Sequence, residues 1–286
     1  MSSILTNNSA MVALQTLKSI NGNLAKTQDQ IATGKDVATA KDNSAVWAIS
    51  KVMEADVAGF NAVSDSLAIG ESTVAVASAG AEEIVNILKD MKELAISGAS
   101  ETADFAKIEA DMAEKEAQIT SIIEAAQFNG VNLLKTDADG NGGTQLTVIS
   151  SLDRSGANDA ANGNAPTIAT IDVATADFEA GLNVAGRTAV ADAADAQTAV
   201  TEIEGFLQVA IEGAAALGAS GKRISDQSNF VGKLTDAMKS GIGALVDADM
   251  EEASARLQAL QTQQQLGVQA LSIANQAPQT ILSLFR

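Results

Sequence analysis

Apolar residues return at helical spacing at both ends of this chain. Near the N-terminus Ala10, Ala13, Leu17, Ile20, Leu24, Thr27 and Ile31 step by three and four residues in turn, the pattern of one face of an amphipathic helix. The spacing predicts a helix over 1–33 that stops at Gly34. Residues 35–43 are polar, carry both signs of charge and read as a connecting spoke, after which Asn43 or Ser44 can cap a new helix. Ile49, Met53, Val57, Phe60, Leu67, Val74, Ile84, Leu88, Met91 and Leu94 then keep the rhythm to about Ser97. Roughly 50 residues at ~1.5 Å each make a rod of about 75–80 Å, and a helix that long needs a partner along its length. Gly59, Gly70 and Gly80 inside it mark expected close approaches of a neighbouring helix. The stretch Gly98 to Asp104 reads as a turn, with Ser100 or Thr102 capping a returning helix. The stripe of that helix, Ile108, Met112, Ile119, Ile123 and Phe128, runs to a stop at Asn129-Gly130.

From Thr136 to about Val190 the texture changes to Gly, Asn, Asp, Ser and Thr. Two β-favouring runs, Gln145 to Ser150 and Thr167 to Val173, predict a small hairpin in the segment most open to solvent. Helical period returns with Ile203, Leu207, Ala210, Ala214, Leu217, Ile224, Val231, Leu234, Met238, Ile242 and Leu245. Interruptions are expected near Gly218-Ala-Ser-Gly221 and at Gly241 and Gly243, and this stripe can lie antiparallel to the 44–97 helix. A last, less regular stripe joins Leu257, Leu260, Gln264, Val268, Leu271, Ile281, Leu282 and Leu284, with Phe285 beside it. The map is nested: ends pair with ends and rods with rods. The fold class expected is mainly α, with long antiparallel helical rods, coiled-coil termini and a small β-hairpin insertion.

Charge sharpens the picture of the ends. The formal net charge is -18, yet no charged side chain lies between Leu257 and Phe285, and the first one in the chain is Lys18. Two uncharged amphipathic ends are surfaces meant to be buried. Aromatic residues are few, seven Phe and one Trp, which suits thin helical layers better than one bulky core. Proline is absent before position 166, which permits very long helices. The acidic balance argues against nucleic acid and anionic membrane surfaces as partners. No run is long enough to span a bilayer. No secretory signal pattern opens the chain, so composition alone reads as cytoplasmic.

The chain has no Cys and no His, which excludes disulfides, thiol and imidazole catalysis and their metal sites. Asp137-Ala-Asp139-Gly-Asn141-Gly142 resembles the opening of a calcium loop, but the twelfth position, where a bidentate Glu belongs, is Val148. A polar turn is the better reading, and no cofactor or metal is expected. The acid pairs Asp247/Asp249 and Glu251/Glu252 read as a helix cap and a solvated face. The scattered cations Lys35, Lys41, Lys89, Lys92, Lys222 and Arg223 read as surface ion pairs. Trp47 is either a core anchor or an interface plug, with core favoured. Asn7-Asn8-Ser9 is a chance-level N-glycan pattern on an end that looks buried.

Several motifs are similar to those of bacterial flagellins. Ile31-Ala-Thr-Gly-Lys-Asp-Val37 followed by Ala40-Lys-Asp-Asn-Ser-Ala45 resembles the spoke region of that family. Lys92-Glu-Leu-Ala-Ile-Ser97 resembles the end of its first long helix, and Gln127-Phe-Asn-Gly-Val-Asn-Leu-Leu134 the motif that ends its second. Leu271-Ser-Ile-Ala-Asn-Gln-Ala-Pro-Gln-Thr-Ile-Leu-Ser-Leu-Phe-Arg286 is close to the family's C-terminus. The likeness covers about 1–140 and 195–286 and is greatest to the short alphaproteobacterial flagellins, which carry almost no outer domain.

The resemblance implies an extracellular structural subunit of the flagellar filament, not an enzyme, exported through the flagellar type III apparatus with a chaperone. It implies self-assembly beneath a cap protein, on a hook–filament junction protein. Residues 1–34 and 256–286 would form the inner tube, 35–140 and 191–255 the rod layer, and 141–190 an outward insertion. The expected assembly interface is Leu17, Ile20, Leu24, Ile31, Leu257, Leu260, Val268, Leu271, Ile281, Leu282, Leu284 and Phe285. Asp90 stands where flagellins that the vertebrate receptor detects well carry Arg, which implies weak recognition. Thr144, Thr147, Ser150, Ser151, Ser155, Thr167 and Thr170 are candidate O-glycosylation acceptors by the same analogy. The alternatives weighed are a hook–filament junction protein, an enzyme displayed on the scaffold, and a solitary coiled-coil tether, which gives no reason for uncharged ends.

Overall fold

A computed structural model describes residues 7–153 and 167–284, with residues 153, 167 and 277–284 described by their backbone alone. Among the described residues six α-helices and one hairpin follow in the order α1 (Asn8–Thr33), α2 (Ser44–Gly98), α3 (Phe105–Ala125), β1 (Gln145–Asp153), β2 (Thr167–Ala174), α4 (Phe178–Gly181), α5 (Ala193–Val246) and α6 (Met250–Leu284), with a short 3-10 turn at Val184–Gly186. The chain divides into two compact units, Met1–Val57 with Ala237–Arg286, and Ala58–Asp236.

The first unit brings the two ends of the chain together. Asn7 caps α1 by accepting from the Ala10 N–H, and Gly34 ends it in the left-handed conformation at φ 70°, a backbone state that costs glycine little. α1 and α6 pair antiparallel. The Asn7 side chain donates to the Ala274 carbonyl at 2.7 Å, and the Gln264 amide donates to Asn21 at 2.8 Å. The spoke is pinned to the α5–α6 junction: Asp36 N–H donates to the Val246 carbonyl at 2.7 Å and Ala248 N–H to the Gly34 carbonyl at 2.9 Å. Gln30, buried, donates to Asp36 at 2.6 Å and fixes the spoke's first turn. Asn43 caps α2 through the Val46 N–H, and Asp249 caps α6 through Glu251 and Glu252, as the acid pairs implied. Trp47 is half-buried rather than part of the core.

In the second unit the core is a seam along α2 and α5. Leu67, Val74, Ala81, Leu88 and Ala95 recur every seven residues on α2, and Ile203, Ala210, Leu217, Ile224 and Val231 do so on α5; all are buried. A sustained seven-residue period is the coiled-coil pattern. The helices run antiparallel: Lys92 pairs with Glu204 at 2.7 Å, and a Cβ on Gly221 would lie 3.3 Å from Val74. α3 adds Met112 and Ile119 to this core. β1 and β2 pair antiparallel with a bulge between Ile149 and Ser151. Val148, Ser150, Ile171 and Val173 are the buried residues of the hairpin, while Thr147, Ile149, Thr170 and Asp172 are exposed.

Several expectations are corrected. α5 is continuous through Gly218–Gly221 and Gly241–Gly243. Each glycine costs roughly 1 kcal/mol in a helix, but the buried residues Leu217 and Ile224 flank the first cluster and hold the helix against its partner. Asp104, not Ser100 or Thr102, caps α3; those two hydroxyls hydrogen-bond each other at 3.1 Å instead. α3 ends at Ala125, before Phe128. Phe128 is exposed and flanks the tight Asn129–Gly130 turn, in which it exchanges two backbone hydrogen bonds with Val131. Gly59 and Gly70 admit strand β1 rather than a helix, and Gly80 admits Leu134 and Ala126 together with Ile122 of α3, so a helix approaches only the last of the three. A Cβ on Gly70 would stand 2.6 Å from Val148, and one on Gly80 would stand 3.0 Å from Leu134.

Candidate assembly surface

α1 turns its predicted stripe toward α6. Ala10, Ala13, Leu17, Ile20, Leu24 and Ile31 are half-buried there and Thr27 is buried. On α6, Leu257, Gln264 and Leu271 are half-buried and Leu260 is buried. Val268 breaks the expected pattern: it is 54% exposed, and Gly267 takes the inward place, where a Cβ would come 3.1 Å from Leu17. The small residue lets the two backbones approach; the branched one one position on points to solvent. The side chains of Ile281, Leu282 and Leu284 lie outside those described, and Phe285 lies outside the described residues altogether.

The pairing leaves a second apolar face open. Met11, Val12 and Leu14 on α1, and Leu266, Val268 and Ile273 on α6, are all more than half exposed; Ile273 reaches 69%. From residue 7 to 17 and from 257 to 284 there is no ionisable side chain to solvate that face. Stripe logic finds one face per helix, so this outer face was missed apart from Val268. Its signal in the sequence is the presence of large apolar residues at positions 11, 12, 14, 266 and 273, off the stripe but within the uncharged stretches. Apolar side chains on more than one side of each helix cannot all be buried by pairing these two helices alone.

The second unit holds a polar knot that the sequence did not disclose. The Arg187 side chain, 2% exposed, donates to both Glu109 oxygens, Nη2 to Oε1 at 2.9 Å and Nη1 to Oε2 at 3.0 Å, and its Nε donates to Glu116. Glu109 also accepts from the Val190 N–H at 2.9 Å, and Glu202 accepts the N–H and hydroxyl of Thr188. Burial pushes the Glu109 carboxyl up, but the Arg187 bonds, the Val190 N–H and the Arg187 charge together outweigh it and hold the group below its usual value. The knot fastens the 184–190 segment to α3. Nothing local announces it, because the partners of Arg187 are 71 and 78 residues away.

The remaining candidates fall into place around these features. Asp90 is exposed and pairs with Lys115 at 2.7 Å. In the 137–143 loop the carboxylates serve their own backbone: Asp137 accepts from the Asp139 and Gly142 N–H groups, Asp139 from Asn141 and Gly143. The Gly142 N–H is the chief cause of the lowered Asp137 pKa. Val148 is buried against Gly70, and among the described residues no group of three acids is gathered to hold a metal ion. Of the glycosylation candidates, Thr144, Thr147 and Thr170 are exposed and Ser151 is half-buried. Ser150 is buried, with its carbonyl accepting from Gln227, so it is not an accessible acceptor. Ser155 and the Thr167 side chain lie outside those described. No described helix is long and apolar enough to cross a membrane.

Known proteins share this chain along its whole length. The family model for the bacterial flagellin N-terminal helical region matches residues 4–139, and that for the C-terminal helical region matches 191–285. Flagellin FljK of Caulobacter vibrioides is 43% identical over all of this chain and 99% of its own length. A flagellin of Brucella melitensis is 42% identical over the whole of both chains. A crystal structure of Bacillus cereus flagellin is similar at 23% identity and a TM-score of 0.47, covering 57% of this chain and 86% of that one. With both helical ends matched and full-length relatives above 40% identity, this chain belongs to the bacterial flagellin family.

Proposed function

We infer that this chain is a structural subunit that polymerises into the extracellular filament of the bacterial flagellum. The observation that carries the reading is the open, uncharged apolar face of the α1/α6 pair, on the two end regions that the family models match. A face that one subunit leaves bare is covered when copies stack. A contact between different surfaces of successive copies does not close, so it propagates as a helix. Nothing in the fold or the relatives favours a junction protein.

Finer features belong to the same proposal. The 1–34 and 256–286 segments line the filament interior, through Leu17, Ile20, Leu24, Ile31, Leu257, Leu260, Val268, Leu271 and the terminal Ile281, Leu282, Leu284 and Phe285. The 35–140 and 191–255 segments form the rod layer, and 141–190 faces outward. Family membership supports export through the flagellar type III apparatus, with a chaperone, and growth beneath a cap protein from a hook–filament junction protein. Exposed Asp90, engaged with Lys115, presents an acid in place of a receptor-binding cation and supports weak detection by the vertebrate flagellin receptor. If the hairpin is O-glycosylated, Thr144, Thr147 and Thr170 are the accessible acceptors among the described side chains.

Seeded growth tests the reading. Purified subunits added to short filament fragments should elongate them without a length limit as long as monomer remains. Growth that stops after a single layer would replace a filament subunit with a junction protein.

A further inference from the structure

Seven methionines are spread along the chain, and the fold treats them unequally. Met91 and Met112 are fully buried in the second unit, Met53 and Met238 are half-buried, and Met250 is 43% exposed. Met11 is 61% exposed, the highest among the described methionines. It stands off the α1 stripe with Val12 and Leu14, which are also exposed. Leu17 faces Gly267 across the antiparallel pair, so Met11, six residues earlier on α1, lies at the level of exposed Ile273, six residues later on α6. The most oxidisable side chain of the open face therefore stands beside Ile273, at one end of the described apolar positions.

We propose that Met11 is an oxidation site that controls assembly: the thioether permits stacking and the sulfoxide blocks it. This rests on the reading that other copies cover the outer α1/α6 face. The oxidant is a peroxide. The Met11 sulfur attacks one oxygen of hydrogen peroxide, the S–O bond forms as the O–O bond breaks, and the proton of the transferred hydroxyl passes to the departing hydroxide, leaving the sulfoxide and water. Sulfur loses two electrons and the peroxide gains them. The product carries a strong acceptor where an apolar side chain stood. In the free subunit water satisfies it; under a neighbouring apolar face that water is stripped away. Because Met11 is off the inward stripe, the subunit keeps its α1/α6 pairing. Once assembled, the covering copies shield the sulfur, so sensitivity is confined to the unassembled subunit.

The test treats purified monomer with dilute hydrogen peroxide, quenches with free methionine, and adds filament seeds. Peptide mass should place one added oxygen on Met11 before Met91 or Met112. Treated wild type should need at least about tenfold more subunit to elongate seeds, with unchanged helical circular dichroism. Treated Met11→Leu should grow like untreated protein, Met250→Leu should remain sensitive, and a methionine sulfoxide reductase should restore wild-type growth. Normal growth of subunits carrying oxidised Met11 overturns the proposal, and so does a treated Met11→Leu variant as impaired as treated wild type. Failure of untreated wild type to elongate seeds would count against the filament reading, not against this one.

Discussion

Arg187 clasps Glu109 through two parallel hydrogen bonds, at 2.9 and 3.0 Å, while lying almost wholly out of solvent. Removing one partner from a buried pair leaves an uncompensated charge and costs about 3–5 kcal/mol. Glu109 is partly exposed, so the low end applies. Arg187→Ala should destabilise the second unit by about 2–4 kcal/mol in urea unfolding, against less than about 1 kcal/mol for the surface variant Lys222→Ala. Equal costs would mean the knot is ornamental.

The same pair sets a pH dependence. The folded Glu109 pKa lies below its ordinary 4.5, so its stabilisation is present above that ordinary value and is lost as pH falls through the folded one. Unfolding midpoints of wild type and Glu109→Gln should differ most above the ordinary Glu109 value and converge as pH falls through the lower, folded one. A gap that widens on acidification would mean that the ionised Glu109 destabilises the fold.

Two glycines in long helices should respond oppositely to alanine. Gly70 faces buried Val148, and its added Cβ would stand 2.6 Å away. Overpacking costs roughly 1–3 kcal/mol, more than the roughly 1 kcal/mol gained in helix propensity. Gly218 has nothing within 4 Å, so Gly218→Ala should stabilise by up to about 1 kcal/mol. Thermal unfolding of both variants, with Gly70→Ala/Val148→Ala as the relief control, checks the contrast.

Two leucines of α6 separate folding from assembly. Leu260 is buried against α1, whereas Leu266 is 63% exposed. Leu260→Ala should lower the helical signal of the free subunit by weakening the α1/α6 pair. Leu266→Lys should leave that signal intact but raise the concentration needed for seeded growth at least about tenfold, because covering an unpaired charge costs several kcal/mol. Intact assembly of Leu266→Lys would take the outer face out of the interface.

What the sequence disclosed is what local periodicity can carry. The α1 stripe from Ala10 to Ile31 faces inward at each predicted position, Gly34 stops the helix, and both strands of the hairpin lie where the β-favouring runs stand. Errors arose where a distant neighbour decides the outcome. Gly70 looks like a helix–helix contact until Val148 arrives from a strand 78 positions on. Val268 and Gly267 are adjacent, and only the approach of Leu17 tells which one faces inward. Arg187 is one cation among eighteen basic residues, and its burial depends on carboxylates far away in the chain. The open α1/α6 face was half legible: its lack of charge was visible, but the division into a paired face and a bare one needed the pairing itself.

If the uncharged ends are an assembly element, deletion of residues 257–286 abolishes filament growth. The measurement is sedimentation of the truncated protein after incubation with filament seeds, with circular dichroism as a check on the remaining helices. Truncated subunits should stay soluble, retain the α2/α5 helices and never enter the pellet. Filaments of normal length from the truncated chain would contradict an assembly role for the ends.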